Sequence, residues 1–418
     1  PQGTAVWRSP RGTAALIPDA LLRRQLEAPV YDVVILGAGC AGLSACVALL
    51  EAGFTGTILL VDARREYLDD RTWCFWDVEP APFTHLARAS WDSWGVRAGT
   101  DTVRASAPTT PYVSIAANDF YSFALGSIAD RPNVELRLGE RVGKIEEVGD
   151  LVHVTASEGQ IFARQVVDSR GLMPSSASGG DATPHSTWIP QQFVGLHILA
   201  SRAVFDPSDC RLMDFGVDQS GGLRFMYVLP VSPFEALIEN VYMAETLLDR
   251  RGHRREIDAY LSSEFGLDEA EYHVLGEERG CIPMTDQRIV SRVSARITRL
   301  GMAGGATRPS TGYTFLGIQR SCRVLVDRLV RGAPAAPEPA CSLLDAVFLR
   351  FLADDPGRAP RVFALLFGRV ATPSLVRFLS ERSGLRDHIR LIVALPKLPF
   401  LRAAAKVLMI RATRGRRH

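Results

Sequence analysis

Tyr31–Gly53 reads YDVVILGAGCAGLSACVALLEAG, and Thr57–Asp62 reads TILLVD. The run Tyr31–Leu36 is almost continuously apolar, which suits a strand covered on both faces. The glycine-rich stretch Gly37–Gly42 follows it directly. Leu43–Gly53 then has helical spacing and ends on a glycine suited to a C-cap. TILLVD supplies a second buried strand. The pattern is one βαβ unit, expected to be parallel and right-handed.

Within that unit the glycines match GxGxxG, and the context gives the match its meaning. Gly37 allows a tight turn, Gly39 lets backbone approach a pyrophosphate, and Gly42 lets helix and strand pack closely. The helix start presents free N–H groups and a positive dipole to phosphates. Asp62 ends the next strand, twenty positions after Gly42, where a carboxylate accepts hydrogen bonds from ribose hydroxyls. A dinucleotide is therefore expected. The choice between FAD and NAD turns on Val166–Gly171, VVDSRG. It resembles the strand–turn element that closes over the first domain of large FAD-dependent folds, and it brings Asp168 into the cofactor-binding set. The plainer reading is a strand ending in an ordinary turn.

Composition sets the outer bounds. The chain has 418 residues, 47% of them hydrophobic, enough for two or three domains or one large composite fold. A net charge of +2 gives no global excess that points to nucleic acid. The seven cysteines include no CxxC pair and fit no closed disulfide framework, so a reducing, cytoplasmic setting is expected. Metal-ligand spacing is absent among Cys and His, and no metal is expected. No stretch reads as a membrane-spanning helix. The first thirty residues lack the long apolar region of a secretory signal. They read as an extension of unknown purpose, with one short helix at Leu16–Leu26.

Further along, short strands are expected at Val134–Leu138, Leu151–Thr155 and Ile161–Asp168. Ser175–Thr187 is Ser/Gly-rich and reads as a loop crossing between domains. The texture from Gln192 to Tyr242 is β-rich, with clear strands at Phe225–Leu229 and Ala236–Val241. A strand at Arg296–Met302 leads into Gly304 and Gly305, and the chain from Phe315 is mostly helical. The expected organisation is an extension (1–30), a Rossmann-type first part (31–185), a β-rich substrate domain (186–290), a return to the first domain (291–335) and a helical C-terminal region (336–418).

Asp69–Trp76, DDRTWCFW, resembles the sequence after the first βαβ unit of bacterial lycopene β-cyclases. The likeness continues through MDFGVDQ, RFMYVLPVSP and LIENVY within Met213–Tyr242, GCIPM at Gly280–Met284, RPSTGYTF at Arg308–Phe315 and the helical tail. Two positions depart from the family pattern. Asn240 stands where Asp is common, and Arg308 where a less charged residue is expected. The resemblance implies an α/β fold like that of p-hydroxybenzoate hydroxylase: a FAD-binding Rossmann-type domain, a mixed and antiparallel substrate domain and a helical C-terminal region. It implies acid-initiated, non-redox cyclisation of the ψ ends of lycopene to β rings, giving β-carotene or γ-carotene. FAD would work in its reduced form, with NAD(P)H as the priming reductant. A different terpenoid polyene, or a redox monooxygenase or prenyl reductase on the same fold, remains the alternative. A carotenoid- or flavin-binding protein without turnover is the non-catalytic one.

Such chemistry needs a placed acid in a dry cavity facing negative or π charge. Glu239, in the apolar strand ALIEN, is the catalytic candidate, which by alternation lies on the face opposite Ile238; burial there raises its pKa. Read without the resemblance, it is a solvent-facing or salt-bridged strand Glu. Arg71 is placed to hold phosphate or to pair with an acid near the flavin. Trp73, Phe75, Trp76, Phe225, Tyr227 and Tyr242 are expected to line the polyene, the alternative being ordinary core. Gly304, Gly305 and Gly312, with Thr311 and Tyr313, lie where related folds set a loop against the flavin, and the helix Phe315–Arg331 follows. The polyene must be drawn from a bilayer. Leu391–Ile410, with Lys397, Arg402, Lys406 and the arginines beyond, reads as an amphipathic basic segment suited to a peripheral membrane contact or as a packed C-terminal helix. Pro396 and Pro399 are expected to interrupt it.

Overall fold

Val33–Leu36 is buried on both faces: Val33 and Ile35 pack against helices, while Val34 and Leu36 pack against the strand residues Val152, Val154 and Ile161. The computed structural model describes residues 6–8, 14–16, 29–78, 82–171, 186–244, 248–338 and 340–415. Of the expected helix at Leu16–Leu26, Leu16 ends a short strand and the rest lies outside the described residues. All but the last two residues of the Ser/Gly-rich crossing also lie outside them.

In chain order the elements begin with the paired strands β1 (Val6–Arg8) and β2 (Ala14–Leu16). They continue with β3 (Val30–Leu36), α1 (Cys40–Glu51), β4 (Ile58–Asp62), β5 (Thr72–Trp76), β6 (Ala89–Trp91), β7 (Ser93–Ala98), β8 (Asp101–Ser106), β9 (Tyr112–Ala116), α2 (Ala117–Ala129) and β10 (Val134–Leu138). Next come β11 (Val142–Val148), β12 (Leu151–Ala156), β13 (Gly159–Asp168), β14 (Trp188–Ala200), β15 (Cys210–Asp214), β16 (Leu223–Pro230), β17 (Glu235–Met243), α3 (Arg250–Phe265), β18 (Tyr272–Thr285) and β19 (Ile297–Arg299). The last helices are α4 (Phe315–Leu329), α5 (Leu343–Asp354), α6 (Ala359–Arg369), α7 (Thr372–Leu379), α8 (Leu385–Ala394) and α9 (Lys397–Gly415).

One sheet runs β10-β4-β3-β13-β12-β11, with β19 also pairing β13. Its β10, β4, β3, β13 and β19 are parallel, while β11, β12 and β13 form an antiparallel meander. The second sheet runs β18-β14-β17-β16-β15-β7-β8 and is antiparallel except at β15–β7. A small third sheet, β5-β9-β6, lies on the way between them in sequence. Residues 93–106, expected inside the Rossmann-type part, instead extend the second sheet. Trp94 and Val96 are fully buried there, and β7 supplies the parallel neighbour that β15 needs.

The two faces of the second sheet bury different things. Ala236 and Ile238 of β17 pack with Ile257, Tyr260 and Leu261 of α3. Asp249 caps the start of that helix through Gly252 N, and Gly266 ends it in the left-handed region. Leu237 and Met243 face the other way, into a core shared with Trp76, Tyr112 and the C-terminal helices. Phe351 of α5 stacks on Phe400 of α9, with ring centroids 4.7 Å apart. Pro396 falls between α8 and α9, as expected. Pro399 does not interrupt: it sits in the first turn of α9, where no intrahelical N–H bond is lost.

Candidate active site

Three parallel strands end side by side, with Asp168 in register with Leu36 and Arg299. The turns after them therefore converge. Ser169 Oγ donates to Gly37 O at 2.6 Å, Ser169 N to Leu36 O at 2.8 Å, and Leu300 N to Asp168 O at 2.9 Å. A Cβ on Gly42 would lie 1.9 Å from Gly37 O, so only glycine lets α1 start against this loop. The first turn of α1 has no side-chain cap and no acidic residue, which leaves its N–H groups and positive end for a ligand. Close by, Asp70 Oδ1 and Thr72 Oγ1 are buried without a hydrogen-bond partner. Arg71 lies between them in sequence, half exposed, and its charge reaches Cys40 at the start of α1. A Cβ on Gly39 would meet only Arg64 Nη2, at 3.5 Å. Glycine backbone, cation and helix end together fit the pyrophosphate of a dinucleotide.

Two acidic expectations change here. Asp62 Oδ2 accepts from Ala38 N at 2.7 Å and Oδ1 from Arg64 N at 2.8 Å, so its carboxylate shapes the loop as well as facing the site. Asp168 is clamped by Arg170, with Nε–Oδ1 and Nη2–Oδ2 both 2.8 Å. That carboxylate fixes its own turn, and it is Ser169 that reaches the glycine loop. Gly304 is likewise internal. A Cβ there would lie 2.4 Å from Arg299 O, so the glycine serves packing beneath the turn. Gly305, with φ of 81°, caps that turn.

A second cluster lies on the odd-numbered face of β17. Tyr227, Glu239, Gly195 and Glu278 are directly opposite one another on β16, β17, β14 and β18, so they form one row across four strands. Glu239 lies deep in the protein yet keeps some accessible surface, as a side chain does that borders an internal space. Burial, then the charge and hydrogen bond of Glu278, push its pKa well above the ordinary carboxylate range. Tyr227 OH lies 2.7 Å from Tyr112 OH, which lies 3.2 Å from Tyr313 OH. The Cys74 thiol sits beside Tyr227. Burial raises the pKa of all four, so phenols and thiol stay neutral. Trp76 packs at 4.6 Å on Tyr112 and 5.4 Å on Tyr313.

The loop before α4 joins the two clusters. It carries Tyr313, and a Cβ on Gly312 would come within 3.2 Å of Gln191 Oε1 on β14. Arg308 and Asp345 tie this loop to α5 by a buried 2.9 Å pair, which explains the arginine at that position. Asn240 faces away from Glu239: its Oδ1 lies 2.5 Å from His253 Nδ1 and its Nδ2 donates to Glu256 at 3.0 Å. An amide satisfies both neighbours, whereas aspartate would set a second carboxylate against Glu256.

Of the expected polyene-lining residues, Trp76 and Tyr227 join the Glu239 cluster, and Phe225 shares that face, packed on Phe215 at 5.6 Å. Tyr242 does not. Three positions from Glu239 on a strand put it on the opposite face, where its hydroxyl donates to Gly221 O at 2.7 Å under the Arg224 guanidinium. Trp73 and Phe75 alternate away from Cys74 and Trp76 and pack in the Rossmann core. Trp73 lies against Phe120, and Phe75 stacks on Phe315 at 4.8 Å. Phe75 also lines a narrow cleft of about 20 Å³ with Cys74, Trp76, Tyr313 and Phe315. Sequence reasoning missed Glu278, Gly195, Tyr112 and Ser169. Glu278 lies in EERGCIPM on β18, which pairs β14 and not the strand bearing Glu239, so no local signal links the two.

The chain is 26% identical to the lycopene beta-cyclase of Paracoccus sp. (strain N81106 / MBIC 01143), over 88% of this chain and 95% of that one. It is 25% identical to the lycopene beta-cyclase of Pantoea ananas, over 91% and 98%. Among solved structures it is similar to a geranylgeranyl bacteriochlorophyll reductase-like protein from Thermoplasma acidophilum (TM-score 0.58, 10% identity, 91% and 100% covered). It is also similar to p-nitrophenol 4-monooxygenase from Pseudomonas putida (TM-score 0.55, 16% identity, 91% and 97%) and to a halogenase in complex with phloroglucinol and FAD (TM-score 0.56, 15% identity, 87% and 82%). The fold is thus the α/β fold of FAD-dependent monooxygenases and geranylgeranyl reductases, with a mixed sheet and a helical C-terminal region. The family model described as lycopene cyclase protein matches residues 32–405, and the chain belongs to the lycopene cyclase family.

Proposed function

We propose that the protein binds FAD along the converging turns and cyclises the ψ ends of lycopene to β rings, with Glu239 as the acid. The observation that carries this reading is a deeply buried carboxyl, biased toward its protonated form, on a sheet face joined to the nucleotide loops through Tyr313 and Tyr112. Gly37, Gly39, Gly42, Arg71 and the start of α1 would hold the pyrophosphate, with Gly305 and Gly312 bordering the ring. Reduced FAD, primed by NAD(P)H, supplies electron density beside a cation.

Glu239 gives its proton to the terminal double bond of the polyene. The resulting tertiary cation is attacked by the neighbouring double bond, which closes the six-membered ring, and loss of a ring proton completes the isomerisation. Product and substrate therefore have equal mass. The neutral rings of Trp76, Tyr112, Tyr227 and Tyr313 present π faces to the cation and exclude water.

The substrate enters from a membrane surface. Leu385, Ile389, Ile392 and Val393 of α8 and Leu398, Leu401, Leu408 and Met409 of α9 are exposed, beside the exposed Arg386, Arg390, Lys397, Arg402 and Lys406. Apolar side chains with a basic rim suit the headgroup region of an anionic bilayer. Among the described residues no helix is long and apolar enough to cross a membrane.

Expression in lycopene-accumulating bacteria, with pigments resolved by chromatography and mass, tests the reading. β-Carotene or γ-carotene is expected, and Glu239→Gln should lower the rate by about 100-fold or more while flavin stays bound. Unchanged lycopene with a folded, flavin-loaded protein, or a product that has gained oxygen or hydrogen, refutes it.

A further inference from the structure

Glu278 was not singled out by the sequence, and it stands beside the proposed acid. It is 2% exposed, and its Oε2 is buried without a hydrogen-bond partner. Glu239 and Glu278 occupy the strands on either side of β14, and the residue between them in register is Gly195. A Cβ on Gly195 would lie 3.0 Å from Glu278 Cγ, 3.3 Å from its Oε1 and 2.9 Å from Leu237 Cδ1. The bare glycine is what lets two carboxyl groups on non-adjacent strands come within hydrogen-bonding reach.

We propose that Glu278 is a positioning residue that shares one proton with Glu239 across Gly195, and so keeps Glu239 loaded with the proton it delivers. This rests on the reading of Glu239 as the acid. Two carboxylates in contact in a dry site repel each other strongly, so the resting pair holds a proton at pH values where a lone carboxyl is empty, and double ionisation is reached only transiently, beside the cation. The groups facing the pair from other elements favour this. Tyr227 from β16, Cys74 from β5 and Tyr112 from β9 are neutral. His197 Nε2, from β14, lies 3.7 Å from Glu278 Oε2, on the Glu278 side of the pair. In the proposed resting state the shared proton sits on Glu239, from which the alkene takes it. After delivery the pair is doubly ionised, which strengthens its pull on the departing ring proton, and recapture restores the starting state with no net change in protons.

The test has two readouts. Infrared spectra of the purified chain, which need no turnover, should contain at pH 7 a protonated-carboxyl band that is absent from Glu239→Gln and that titrates away at lower pH in Glu278→Gln than in the wild type. Single-turnover cyclisation by the flavin-reduced enzyme should fall on the alkaline side. That limb should move to lower pH by about one unit or more in Glu278→Gln, a tenfold loss at fixed alkaline pH, and should return toward wild type in Glu278→Asp. Absence of the band from the wild type, or a band and limb unmoved in Glu278→Gln, overturns the proposal. If Glu239→Gln cyclises lycopene at the wild-type rate, it is the reading of Glu239 that fails.

Discussion

Replacing Arg308 by methionine should destabilise the protein by about 3–5 kcal/mol, because it removes one partner of a buried ion pair. The Arg308 side chain is 4% exposed and that of Asp345 10%, at 2.9 Å. The guanidinium also donates to Phe378 O and lies 4.1 Å above the Phe378 ring. Asp345 would keep its hydroxyl partners Ser310 and Ser342, which places the cost toward the lower end. With about 2.1 cal/mol/K of unfolding entropy per residue over 418 residues, Tm falls by roughly 3–6 °C. The assay is thermal unfolding at saturating FAD, extended to a cycle with Asp345→Leu. The double variant should recover most of the loss, since a well-packed apolar pair replaces the ions at little cost. The pH dependence has a definite sign. Burial pushes the Asp345 carboxyl up, but Arg308 and the two hydroxyls outweigh it, so its pKa lies below the ordinary value. The pair stabilises above about pH 4 and is lost as pH falls through the folded value. The difference between wild type and Arg308→Met should therefore shrink in acid. A single variant that costs less than about 1 kcal/mol, or a double variant no more stable than the single, refutes the reasoning.

Gly42→Ala should lower Tm through a clash at 1.9 Å with Gly37 O, whereas Gly39→Ala, which meets only the end of Arg64, should spare Tm and weaken FAD binding in a fluorescence titration. Tyr227→Phe should slow cyclisation by breaking the hydroxyl contact to Tyr112, and Tyr242→Phe should leave the rate alone, because that hydroxyl bonds Gly221 on the other face; equal effects would contradict the assignment of faces. The combined change Leu385→Asn, Ile389→Asn and Val393→Asn should reduce sedimentation with anionic vesicles about tenfold or more and leave folding intact, since all three side chains are exposed.

The Rossmann-type half was legible because its signals are local. A buried strand, a glycine turn and a helix sit within one short stretch, and each glycine has a steric reason that the backbone then shows at Gly42. Family resemblance carried the second half as far as Glu239 and no further. Glu278 belongs to a strand far from β17 in sequence, and only the intervening β14, with Gly195 in register, brings the two together. Tyr242 was misplaced although strand alternation alone separates it from Glu239. The same two-residue period divides Trp73 and Phe75 from Trp76. Asp168 was assigned to the ligand because the motif advertises an acid, yet Arg170, two residues later, uses that carboxylate. The departures at Asn240 and Arg308 had no explanation in sequence, since their partners His253, Glu256 and Asp345 are supplied by other helices.

The β7–β8 hairpin has a consequence for how the chain is made. Its edge partner β15 follows only after the whole β10–β14 stretch, with Trp94 meeting Cys210 and Val96 meeting Met213. During synthesis this apolar edge must wait, unpaired, while the intervening strands leave the ribosome, and an open edge of that kind recruits other chains. Such non-local pairing slows folding. Neither sheet is encoded by a contiguous segment, so cutting the gene at a boundary drawn from sequence texture would yield fragments with raw edges rather than autonomous halves.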